Sequence, residues 1–156
     1  VPPRGKITQV VDRLGPHDGH GLLFPVGLAV DAAGNAYVAG NNSANVLKVD
    51  PEGIVTIVAL PSRHGRALSA CSDIVTTADG TVYFVRVGTH SLWRLTAGGD
   101  LAQILDANGA GTGEILKAAR GVAVDADGHV FVSGFGSDHV FKVVPPPLAP
   151  APASGS

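Results

Sequence analysis

The 156-residue sequence predicts an all-β protein, a β-propeller built of four-stranded antiparallel blades with three blades in this chain. Three observations carry it. A twelve-residue segment occurs three times, the copies lie 46 and 48 residues apart, and short β-rich runs separated by turn residues follow each copy. With 45% apolar residues the chain can fill a substantial core.

The copies occupy residues 27–38 (GLAVDAAGNAYV), 73–84 (DIVTTADGTVYF) and 121–132 (GVAVDADGHVFV). The opening strand of each is apolar or small nearly throughout, the pattern of a strand covered on both faces. Its hairpin to the second strand runs through Gly34, Gly80 or Gly128, where glycine supplies the left-handed conformation a tight turn needs. Asp31 and Asp125 belong to the same turn chemistry. A third strand follows at residues 45–49, 91–95 and 139–143, with Leu47, Trp93 or Phe141 at its centre and Lys48, Arg94 or Lys142 next. That alternation is apolar in and charged out, and it assigns Trp93 to an interblade core. Fourth strands are expected over residues 54–58 and 101–105, after glycine turns.

The phase of the repeat is shifted. Residues 5–11 match the fourth strand of a blade with no first three strands before them, whereas Pro145-Pro146-Pro147 removes the amides that a last fourth strand would donate. The propeller segment is therefore expected over 1–144. It comprises an outer strand at 5–11, blades at 26–59 and 72–105, and a blade at 120–144 lacking its outer strand; 145–156 reads as a Pro/Ala-rich linker or disordered tail. Rings have four to eight blades. Either the chain is a fragment of a longer six-bladed protein or two copies associate into one six-bladed ring. The missing methionine and the tail favour the first.

Eleven basic against thirteen acidic side chains, with no run of either sign, leave no footprint for nucleic acid. No apolar stretch is long enough for a membrane-spanning helix. Cys71, alone, reads as a structural thiol.

The pattern Pro25-x-Gly27-Leu28-Ala29-Val30-Asp31-x-x-Gly34-x-x-Tyr37-Val38 with Asn45-Val46-Leu47-Lys48-Val49 after it resembles NHL repeats, and residues 121–143 match equally well. The resemblance extends over residues 5–144 and relates the chain in pattern to six-bladed NHL and SMP-30-like propellers. The middle copy departs from it, with Asp73-Ile74-Val75-Thr76-Thr77 where Gly-Val-Ala-Val-Asp is usual, so a local difference is expected there.

In a four-stranded meander, the turns between second and third strands and the connections between blades emerge on one face. Candidate ligand-face residues there are His17, His20, Asn42, His64, Arg66, Arg86, His90, Asp138 and His139; His129 falls on the opposite, hairpin side. Imidazoles converging from separate blades could hold a divalent metal, with His17, His20 and His64 as its candidates. No compact ligand motif accompanies them, so exposed loop histidines are the plainer reading and no cofactor is expected. Residues 106–114 are similarly read as a flexible glycine loop rather than a calcium loop, followed by a short helical turn over 114–119. Ser69 and Ser91 lack a nucleophile-elbow context, and Asn41-Asn42-Ser43 fits an N-glycosylation acceptor.

The resemblance implies a non-catalytic binding or scaffold module that presents its loops to a protein, peptide or glycan. The alternative is a metal-dependent lyase or lactone hydrolase with its site at the channel mouth. The family's frequent appearance in exported bacterial proteins implies an extracellular or periplasmic location.

Overall fold

The computed structural model describes residues 5–59 and 70–147, which contain eleven strands and, among the described residues, no helix. The first sheet is the meander β1 (Pro25–Val30), β2 (Ala36–Gly40), β3 (Val46–Val49) and β4 (Val55–Ala59). A second meander repeats it with β5 (Cys71–Thr76), β6 (Val82–Arg86), β7 (Ser91–Leu95) and β8 (Leu101–Leu105). β9 (Ala119–Val124), β10 (Val130–Gly134) and β11 (His139–Val143) make a third, three-stranded sheet. Every pairing is antiparallel. The chain is a partial propeller, as its repeat predicts.

Register follows the sequence repeat residue by residue. Val38 pairs with Leu47, Phe84 with Trp93 and Val132 with Phe141. Each innermost strand carries a bulge at one repeat position, where Val26, Ser72 and Arg120 are skipped. The unusual sequence at residues 73–77 therefore brings no change of register. Gly34, Gly80 and Gly128 close the first hairpins at φ of 83°, 80° and 81°, donating to the carbonyls of Asp31, Thr77 and Asp125.

Strand alternation lets one sheet serve two interfaces. Tyr37, Ala39 and Val46 of the first blade pack against Ile74, Phe84 and Trp93 of the second. The neighbouring residues Tyr83, Val85 and Leu92 turn the other way and meet Val130, Val132 and Phe141 of the third. Removing one such side chain fully from water stabilises by about 1.5–3 kcal/mol. Hydrogen bonds tie the blades at their inner strands: Thr76 Oγ1 donates to Val30 O at 2.9 Å, Ser72 Oγ to Ala119 O at 2.9 Å, and Val122 N to Asp73 Oδ2 at 3.0 Å.

Two expectations are corrected, and a third, the outer strand at residues 5–11, meets no partner among the described residues. The opening strand of the first blade is not covered on both faces: Val26, Leu28 and Val30 are exposed because only their alternates face the second blade. Residues 5–11 form no ladder, and Ile7 is 96% exposed. The open edge that could pair with them, β11, lies at the far end of the row, with the second blade between. The helical turn over 114–119 does not form; Leu116 is instead buried under the third blade and β9 begins at Ala119.

Candidate functional site

The bulges aim the ends of the innermost strands at the loop face, and a bulge is a recurrent device for redirecting a side chain beside a site. The turns between second and third strands arrive on the same face. Each holds one non-glycine residue in the left-handed region, Ala44, His90 or Asp138, at φ of 52°, 51° and 54°. The recurrence makes this a built turn rather than a loose loop.

The predicted residues have separate fates. His90 is structural: its Nδ1 accepts from the Ala118 amide at 3.0 Å and fastens the second blade to the connection entering the third. Arg86 is fully buried between the first two blades, donating to Ala44 O at 3.3 Å, with its guanidinium 5.2 Å from the Phe84 ring centre and 5.8 Å from Trp93. Burial pulls its pKa down from the usual arginine value. Its Nε and Nη2 have no hydrogen-bond partner among the described residues. Beside it, burial pushes the Cys71 thiol up, and the Arg86 charge only partly offsets that.

His17, His20, Asn42, Asp138 and His139 are exposed. His17 and His20 lie in the connection leading to the first blade, where the Asp18 carboxylate accepts the His20 amide. Asn42 donates its amide to Leu23 O, and His139 stands edge-on to Phe141 at 6.0 Å. Among the described residues, no group of three metal ligands includes His17 or His20. His64 and Arg66, with Ser69, lie outside the described residues.

Among the described residues, the one group able to offer three metal ligands is Asp125, Asp127 and His129, on the opposite, hairpin side. Its Asp125 carboxylate is already committed. Asp125 Oδ1 accepts the amides of Asp127 and His129, and Oδ2 lies 2.8 Å from His129 Nδ1. Asp31 holds the equivalent turn through Ala33, Asn35 and Tyr37. Burial works to raise the Asp31 pKa, but these hydrogen bonds outweigh it and hold the carboxyl below its ordinary value. The cluster is therefore a turn device repeated across blades. Ser91 is buried, with its hydroxyl between Thr89 Oγ1 and Trp93 Nε1, and among the described residues no histidine or carboxylate hydrogen-bonds to it.

Residues the sequence reading passed over define the loop face better. Arg120, at the third bulge, places its guanidinium 5.3 Å from the ring centre of Phe135, which is 73% exposed. Phe24, at the entrance to the first blade, is 69% exposed on the same face. Their signal was available. Phe24 stands where the other copies have Ala70 and Ala118, Arg120 where they have Val26 and Ser72, and Phe135 where they have Asn41 and Val87.

No family model matches the sequence, and no curated protein matches it. Solved structures do. A streptogramin B lyase is 18% identical with a TM-score of 0.63, over 82% of this chain and 39% of its own. Virginiamycin B lyase from Staphylococcus aureus is 15% identical with a TM-score of 0.62, over 77% and 38%. A gluconolactonase from Xanthomonas campestris is 21% identical with a TM-score of 0.61, over 76% and 43%. The chain thus spans less than half the length of these structures. At such identities the likeness is one of fold, and the fold is that of a β-propeller sector.

Proposed function

We propose that this chain is an NHL-type propeller sector whose loop face binds a peptide or glycan without transforming it. The observation that carries the reading is Phe135, a large aromatic left in water on a rigid loop face with the Arg120 guanidinium stacked on it. Exposed aromatic and arginine pairs are the side chains that anchor partners, since each brings large contact area at little cost in lost freedom. Interblade hydrogen bonds under the face preorganise it. The reading fits an extracellular or periplasmic setting.

Peptide and glycan arrays probed with the purified chain test it. Capture of one ligand class is expected, lost at least tenfold in Arg120→Ala and in Phe135→Ala while both variants melt like the parent. Binding that ignores both substitutions, or none on either array, would overturn it.

A second reading, a metal-dependent lyase or lactone hydrolase, is favoured by the likeness to lyase and gluconolactonase folds. It requires ligands beyond those the described residues gather. Turnover of a sugar lactone that depends on an added divalent ion and stops on chelation would replace the first reading with this one.

A further inference from the structure

The two ends of the blade row are complementary. On the free side of the third blade stand Ala123, Phe131, Ser133 and Val140, and these occupy the repeat positions of Ala29, Tyr37, Ala39 and Val46. The latter four form the surface with which the first blade packs on the second. On the outward side of the first blade stand Leu28, Val38 and Leu47, the counterparts of Ile74, Phe84 and Trp93, with which the second blade receives that surface; Val38 and Leu47 are already covered by Leu22 and Val11 of the same chain, and Leu28 lies open. Leu28 is 68% and Val140 69% exposed. Each end thus repeats one half of an interface the molecule already contains.

A second observation points the same way. The connection from Asp12 to Phe24 has the hydrogen bonds of the interblade connection from Asp106 to Ala118. In both, the first aspartate accepts an amide two residues on, at 2.8 and 2.9 Å. Gly15 donates to Asp12 O as Gly109 does to Asp106 O, and Leu22 to Arg13 O as Leu116 does to Ala107 O. Residues 5–11 therefore arrive as a fourth strand arrives, yet among the described residues they pair with no strand and β11 has no fourth strand beside it.

We propose that two copies of this chain close head to tail into a six-bladed ring. The free face of each third blade packs on the first blade of the other copy, and residues 5–11 complete the partner's third sheet along β11. The edge of β11, the unladdered residues 5–11 and the exposed Leu28 and Val140 are satisfied at once, two-fold symmetry closes the contact, and six blades fall within the range that propellers use. The pairing stands independently of what the loop face binds.

The register follows from the first blade, where Lys48 opposes Thr56. By the repeat, Lys142 opposes Thr8 of the other copy. Light scattering and sedimentation of the purified 156-residue chain at tens of micromolar are expected to give twice the 15.7 kDa chain mass. Val140→Glu, which touches no packed interface within one chain, is expected to give a monomer with an unchanged far-ultraviolet spectrum. Thr8→Cys combined with Lys142→Cys is expected to form covalent dimers under mild oxidation, with buried Cys71 not participating. A folded monomer for the parent chain, a mass above the dimer, or a dimer indifferent to Val140→Glu would each overturn the proposal.

Discussion

Replacing Phe84 with alanine removes the largest apolar side chain that is wholly excluded from water between the first two blades. Phe84 sits at the centre of β6, with Ile74 opposite on one side and Trp93 on the other. Its ring also lies under the Arg86 guanidinium. Truncating a fully buried phenylalanine costs about 3–5 kcal/mol, because transfer free energy is lost and the cavity closes only in part. The cation–π contact adds about 1 kcal/mol or more, since Arg86 is desolvated. For a chain near 150 residues each kcal/mol moves the midpoint by about 2–4 °C, so Phe84→Ala is expected to lower Tm by about 8–24 °C. Thermal unfolding followed by Trp93 fluorescence reads it. A midpoint within 2 °C of the parent would refute face-to-face packing of these blades.

Asp73→Ala deletes the acceptor of the Val122 amide, a charged hydrogen bond between blades worth about 1.5–3 kcal/mol, and urea unfolding should show that loss without a change in slope. The depressed pKa values of Asp31 and Asp79 imply an acid limb. The unfolded carboxylates take up protons first as pH falls, so stability is fully present above about pH 5 and is lost as pH drops through the folded values. Melting between pH 3 and 7 checks this, and Asp31→Asn should flatten the limb. Cys71, buried and with its thiol pushed up, should resist alkylation at pH 7.5 in the native state and react fully in urea; native labelling within minutes would contradict its placement.

Much of the architecture is legible in the sequence because a blade repeats its own chemistry. The glycine of each first hairpin and the large residue at Leu47, Trp93 and Phe141 recur, and recurrence separates a structural role from chance. What was not legible depends on neighbours. The opening strand of the first blade reads as doubly covered, yet Leu28 faces water, since burial is decided by what stands beside a blade and not by its own residues. The same holds for residues 5–11, whose pattern is a strand's and which find no partner strand among the described residues. The histidines of the loop face attract attention by type, but His90 is used to fasten a turn, and the turn geometry that uses it leaves no mark in residue identity. Arg120 and Phe135 carry their signal only as departures from the repeat.

The central claim, three blades in matched register, is tested most directly by cross-strand backbone contacts in the nuclear Overhauser spectrum of labelled protein. Contacts are predicted for Val38 with Leu47, Phe84 with Trp93 and Val132 with Phe141, one pair at the same position in each blade. A spectrum in which any of the three pairs is absent, or is shifted by a residue, would contradict the account.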